Sequence, residues 1–138
     1  MADFNKIGLL TLRDGRILMC RKNHFTSRLI LPGGCVEKGE SSLECLNREL
    51  TEELGEVTAT AIQPIGIYED LAHADDPGVR KTLRLELYGG TLTGEPQPHN
   101  EIVELVWFGP ESDRDDLTPI FRNKILPDLI ARGLLPWD

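Results

Sequence analysis

Three glutamates, Glu49, Glu52 and Glu53, stand at spacings i, i+3 and i+4 in the run Arg48-Glu49-Leu50-Thr51-Glu52-Glu53-Leu54-Gly55. On a helix, residues three and four apart are surface neighbours, so these carboxylates crowd onto one face. Like charges so placed repel by about 0.2–0.5 kcal/mol per pair on an exposed helix. A helix selected only for stability would intersperse lysines. Converging carboxylates are instead a natural donor set for a hard divalent cation, which takes oxygen ligands. Pro32-Gly33-Gly34 precedes the helix, and its backbone can supply a further carbonyl ligand because glycine allows close approach.

The elements that must position these groups are also readable. Leu43, Leu46, Leu50 and Leu54 fall in a stripe of roughly 80° at about 100° per residue, the face turned to a core. The glutamates lie about 110° round from that stripe. Ser42 is a good N-cap, although Ser41 with Glu44 three residues on fits the capping-box spacing better. Gly55 stops the helix. Upstream, Phe4 to Leu12 is β-compatible, and Arg13-Asp14-Gly15-Arg16 reads as a hairpin turn into Ile17-Leu18-Met19-Cys20. Leu29-Ile30-Leu31 is another short apolar run. Downstream, Val57 to Ile62, Ile65 to Tyr68, Thr82 to Tyr88 and Ile102 to Phe108 read as strands. His73 to Val79 and Gly89 to Asn100 read as loop, and Ile120 to Ala131 as a final helix. The pattern predicts one mixed α/β domain, residues 1–138, without repeats or a linker.

Composition narrows the function. The chain has 138 residues, 15 Lys+Arg against 23 Asp+Glu, and a net charge of −8. That balance disfavours a nucleic-acid duplex as partner, because such binding rests on phosphate neutralisation. The window from Glu37 to Glu56 holds seven glutamates against Lys38 and Arg48. The longest uncharged run, Val57 to Tyr68, contains Pro64 and falls well short of the roughly 20 apolar residues of a membrane span. Nothing at the N-terminus reads as a secretory signal. Three cysteines, Cys20, Cys35 and Cys45, with no Cys-x-x-Cys pair, suggest buried small hydrophobes in a reducing compartment. The expected location is cytoplasmic, and a homodimer is compatible with the sequence.

Gly34, five residues, Glu40, seven residues, then Arg48-Glu49-Leu50-Thr51-Glu52-Glu53-Leu54-Gly55 closely resembles the Nudix box, G-x5-E-x7-R-E-U-x-E-E-x-G-U with U aliphatic. Only the last position departs: Glu56 stands where an aliphatic residue is usual, with Val57 just after. The departure concerns the helix exit, not the glutamate face. The resemblance implies a Nudix-type, MutT-like α/β/α sandwich with a mixed β-sheet. It also implies hydrolysis of a nucleoside diphosphate linked to another moiety, with Mg²⁺ or Mn²⁺ as cofactor. An acidic protein holds a polyphosphate only if cations lie between the two sets of negative charge, and those cations also activate water.

Carried over residue by residue, the resemblance makes Glu49, Glu52 and Glu53 metal ligands, with either Glu49 or Glu53 orienting or deprotonating the attacking water. Arg48 would position neighbouring carboxylates, Glu40 would support that network, and Gly34 would lend its carbonyl or its conformation. Family members often recruit another acid from a distant loop or strand. Glu101 is the favoured candidate because it sits where loop becomes strand, with Glu104 as the alternative. Arg21 and Lys22, ending the second strand, occupy the place of a phosphate-contacting base. His24, His73 and His99 show no ligand-like spacing, and Trp107 and Phe108 read as core. The substrate expected is a small nucleotide, foremost a nucleoside triphosphate. A nucleotide sugar, ADP-ribose or dinucleoside polyphosphate is the alternative, and a Nudix-fold binding module without catalysis is a further one, disfavoured by the intact acids.

Overall fold

Side-chain alternation along the first strands decides the layering. In the computed structural model, which describes residues 2–137, β1 (Phe4–Leu10) sends Ile7 and Leu9 to one face and Leu10 to the other. After the short β2 (Leu12–Arg13), β3 (Arg16–Lys22) divides in the same way. Its Leu18 and Cys20 join one core, and its Ile17 and Met19 the second. Each strand therefore serves two cores, as period-two alternation between two covering layers requires.

The hairpin joining β2 to β3 has its register set by the turn. Arg13 faces Arg16 across Asp14 and Gly15, which have φ of 53° and 75°. Two central residues with positive φ match the twist of the flanking strands. The remaining strands are β4 (Gly33–Cys35), β5 (Thr58–Leu71), β6 (Thr82–Thr93) and β7 (Ile102–Phe108). One sheet has the order β4-β1-β6-β5, with β1 and β6 parallel and the other pairs antiparallel. The second, β2-β3-β7, is antiparallel throughout.

On one side lies α1 (Ser42–Leu54), whose Cys45, Leu46, Leu50 and Leu54 pack against Ile7, Leu9, Leu18 and Ile102. Ser41 caps it in a full capping box with Glu44, an arrangement whose cap alone is worth about 1 kcal/mol. The opposite side is covered by the segment from Ile120 onward. It enters through a π-helical turn (Phe121–Ile125) and continues as α2 (Leu126–Ala131). Phe121, Ile125, Leu126 and Leu129 are buried there with Leu83, Leu85 and Phe108. The architecture is an α/β/α sandwich, as the resemblance implies. No helix among the described residues is long and apolar enough to cross a membrane.

Local departures from the sequence reading have simple causes. Leu43 is exposed and Cys45 takes its place in the core, because the buried arc of α1 is turned toward Leu46 and Leu50. Cys35 is exposed at the sheet edge, unlike Cys20 and Cys45. Gly89 to Thr93 continues β6, since pairing with Thr58–Gln63 outweighs the turn propensity of Gly89-Gly90. The two apolar pieces between Val57 and Tyr68 are one bent strand, β5, interrupted by irregularities at Ala61 (φ 53°) and Pro64.

Candidate functional site

Two glycines let a pair of carboxylates lie directly on the backbone. Gly33 opens β4 opposite Gly8, with φ of +143°, and a Cβ there would run into the Ile7 carbonyl oxygen. No other residue fits. The Gly33 N–H donates to Glu53 Oε1 at 2.8 Å. At Gly34 a Cβ would overlap the carboxyl group of Glu49, so the strand edge and α1 approach closer than any side chain allows. Glu53 is only 2% exposed, although it is charged at its ordinary pKa.

Glu101 completes the group. The segment before β7 caps the end of α1: Gln97 N–H donates to the Leu54 carbonyl, His99 N–H to Glu53, and Asn100 Nδ2 to Glu52. These bonds satisfy carbonyls that a helix C-terminus leaves open. Asn100 adopts φ of 54°, a conformation asparagine tolerates, and the turn delivers the next residue to the helix face. As a result, carboxylate oxygens of Glu49, Glu53 and Glu101 all lie within 4.8 Å of one another. Burial first, and then the charges of Glu49 and Glu101, push the Glu53 carboxyl up to about 8, against the Gly33 hydrogen bond and Lys22. Glu49 is also pushed upward, mainly by burial, in spite of Arg48. Anionic oxygens crowded where water is scarce, with too few donors, are the chemistry of a cation site.

Arg48 organises the other side of the same carboxylate. Its Nε donates to Glu40 Oε2 at 2.7 Å, Nη2 to Glu40 Oε1 at 3.0 Å, and Nη1 to Glu49 Oε1 at 2.8 Å. Nη2 also reaches the Cys35 carbonyl at 3.2 Å. The guanidinium fork holds the Glu40 carboxyl down at about 2, and the Glu37 N–H adds to that effect. Arg48 thus ties the loop after β4 to α1 and fixes one oxygen of Glu49.

Other candidate residues are placed differently. Glu52 is exposed and outside the convergent group, with its carboxylate 3.8 Å from Arg48. The Gly34 carbonyl faces the Cys45 thiol at 3.7 Å. Glu104, exposed on β7, accepts from Arg21 Nε at 2.7 Å. Arg21 further makes a two-bond pair with Asp116 at 2.8 and 2.9 Å and donates to the Ser27 carbonyl at 2.6 Å. Those partners occupy its guanidinium in loop anchoring. Lys22, next in sequence, turns instead into a cavity of about 240 Å³ that the three glutamates also line.

That cavity contains residues the sequence reading did not single out. Lys6 enters it from β1, and Phe25, Leu83, Leu85, Ile120 and Phe121 give it apolar walls. Thr26 and His73, bonded through Oγ1 and Nδ1 at 2.6 Å, form another part of its lining. A signal for Lys6 existed in the pattern: it alternates with Phe4, Gly8 and Leu10, an odd position for a charge on an otherwise apolar face. Trp107 packs against the α1 core with Arg13 stacked 4.8 Å from its ring centre, away from the cavity.

A model of the NUDIX domain matches residues 5–129. The chain belongs to the Nudix hydrolase family. It is 32% identical over 114 residues to nucleoside triphosphatase NudI of Escherichia coli, a match spanning 74% of this chain and 79% of that protein. Among solved structures, the E. coli ORF135 protein superposes with a TM-score of 0.71 at 26% identity, covering 98% of this chain and 94% of that one. A MutT NUDIX hydrolase from Burkholderia pseudomallei gives 0.65 at 24% identity, covering 80% and 85%. This Nudix chain is therefore a hydrolase, of a family that acts on small nucleotides and generally uses divalent metals.

Proposed function

We propose that this Nudix hydrolase cleaves a phosphoanhydride bond of a nucleoside triphosphate with the help of Mg²⁺ or Mn²⁺. The observation that carries the reading is the meeting of Glu49, Glu53 and Glu101 at the wall of a partly apolar cavity. The similarity to a protein named as a nucleoside triphosphatase supports the substrate class. A metal bound at these carboxylates would neutralise phosphate charge and lower the pKa of water. The chain's own residues then have separate tasks. Glu53, fixed by Gly33, and Glu101, fixed by the turn at Asn100, would hold the cation together with Glu49. Glu49 is kept in place by Arg48, and Arg48 by Glu40. Glu52 belongs to the rim of this arrangement, where it would act through the charge of the site, and Glu104 has no part in it. The apolar walls would take the nucleoside, and the charged end the phosphates.

The test is a panel of nucleoside triphosphates, nucleotide sugars, ADP-ribose and dinucleoside polyphosphates, assayed for phosphate or pyrophosphate release with Mg²⁺, Mn²⁺ or EDTA. We expect metal-dependent turnover highest on one or more triphosphates. Preference for a nucleotide sugar or ADP-ribose would move the substrate class. Undiminished turnover in EDTA would remove the metal from the mechanism.

A further inference from the structure

Lys6 is the only charged residue of β1, and its side chain leaves the strand between Cys35 of β4 and Leu85 of β6. Its ammonium stands 5.6 Å from the centre of the Phe4 ring, which meets Phe25 edge-on at 5.8 Å. The aromatic pair supports the lysine stem and leaves the charged end half-buried at the cavity. Lys22 reaches the same cavity from the end of β3. Among the described residues neither ammonium forms an ion pair or a hydrogen bond, whereas the neighbouring Arg21 and Arg48 are fully engaged.

Three carboxylates line that cavity too, but none of them forms an ion pair with either amine. In so small a space opposite charges would pair if no other partner claimed them. The acids stand on α1 and the β7 turn, and the amines on β1 and β3. Burial and the proximity of Lys22 hold the Lys6 amine below its usual pKa, outweighing the opposite pull of Cys35, Glu53 and Glu49, so its charge is costly to keep without a direct partner. A cation claims the acids. An anion is left for the amines.

We propose that Lys6 is a substrate-binding residue that, together with Lys22, receives the phosphate chain of the nucleotide beside the Glu49–Glu53–Glu101 group. This rests on the nucleotide reading above and extends it. Because the phosphate chain is common to all nucleotides, Lys6 governs affinity for it and is indifferent to the base. An ammonium also binds a phosphate oxygen as a point charge, so arginine can replace it in charge though not in shape.

The experiment measures binding of inorganic tripolyphosphate by calorimetry in Mg²⁺, beside steady-state kinetics on several nucleoside triphosphates. We expect Lys6→Met to weaken tripolyphosphate binding about tenfold, the usual scale for losing a hydrogen bond to a charged group. It should raise KM by a similar factor for every base while kcat changes little, the signature of lost uniform binding. Lys6→Arg should recover most of the loss, and Lys124→Met, the same charge change on the exposed surface, should do nothing. Unaltered tripolyphosphate binding in a folded Lys6→Met variant overturns the proposal. So does a KM change confined to one base, which would make Lys6 a base reader, or a wild-type protein that ignores tripolyphosphate. If no nucleoside triphosphate is hydrolysed, the functional reading fails, yet the calorimetric arm still decides whether Lys6 binds phosphate.

Discussion

Around Arg48 every charge has a partner, whereas a few ångströms away, around Glu53, charges stand without one. Arg48 satisfies Glu40 through two bonds and Glu49 through one, and Glu40 in turn accepts the Glu37 N–H. Arg21 shows the same completeness with Asp116, Glu104 and Ser27. In the cavity, among the described residues, Glu53 has a single backbone donor, its pKa is pushed up to about 8, and Lys6 and Lys22 have no ion-pair partner. Completed networks hold segments in place. The incomplete one is where, in the proposed function, ligands would complete the electrostatics, since buried charge without compensation is strongly disfavoured. Neighbours in sequence fall on opposite sides of this divide: Arg21 and Lys22 at the end of β3, Glu52 and Glu53 on α1.

The sharpest way to break that contrast is to remove charge from the incomplete network. Glu53→Gln keeps the volume and an acceptor for the Gly33 N–H but deletes the buried anion. We expect turnover to fall by at least about a hundredfold, with a melting temperature in EDTA no lower than the wild type's. Circular dichroism melts beside single-turnover rates check both halves. A variant that keeps most of its activity would separate the buried carboxylate from the chemistry.

The contrast also explains what the sequence could and could not reveal. The glutamate face of α1, its capping box and its stop at Gly55 follow from spacing and composition, which are local properties. So does the hairpin at Asp14-Gly15, where positive φ demands those residue types. Long-range pairing is different. Nothing in Arg21 and Lys22 says that one will find Asp116, 95 positions away, while the other turns inward. Helix geometry sets Glu53 within about 20° of Leu46 and Glu52 about 120° from it, but the Gly33 N–H that meets Glu53 is invisible in that spacing. Gly89 to Thr93 misled because turn-prone residues were held in β6 by pairing with β5. Lys6 was legible as an anomaly of alternation, but its meaning required the cavity.

A finer test compares two acids at the start of β7. Glu101 belongs to the incomplete group and Glu104 to the network of Arg21. Glu101→Gln should raise the Mg²⁺ concentration for half-maximal rate about tenfold, as expected for the loss of one charged ligand interaction. Glu104→Gln leaves Arg21 with both Asp116 bonds, so it should change the same quantity less than about twofold. Titrating activity against Mg²⁺ for the two variants in parallel settles the order. The reverse order would place the ligand from outside α1 on the exposed face of β7, and equal small effects would leave the metal to α1 alone.

The last test concerns stability and pH in the absence of metal. The carboxyl of Glu53 has a pKa near 8 in the folded protein, above the ordinary 4.5 of the unfolded chain. A group that holds its proton more tightly when folded favours folding at low pH. Its contribution is fully present below about 4.5 and is lost as pH rises through about 8. Glu40 has the opposite sign, with its contribution present above 4.5 and lost only as pH falls toward 2. Between pH 5 and 8, then, Glu53 gives the metal-free protein a falling stability that Glu40 does not oppose. His73, whose pKa is lowered mainly by burial, adds a component that rises with pH up to its ordinary 6.5 and that wild type and variant share. The difference between wild type and Glu53→Gln isolates the buried acid. In EDTA the two should melt nearly together at pH 5, where Glu53 is neutral like its amide. At pH 8 the wild type should melt lower, by on the order of 10 °C, because a carboxyl near 8 in the folded chain and 4.5 in the unfolded one loses about 3 kcal/mol over this interval. Saturating Mg²⁺ should then raise the wild type more than the variant, because a cation that binds only the folded protein shifts its melting temperature upward. Parallel melting curves at every pH in EDTA would mean that the Glu53 anion is already compensated within the protein, and the division between complete and incomplete networks would no longer fall at Glu53.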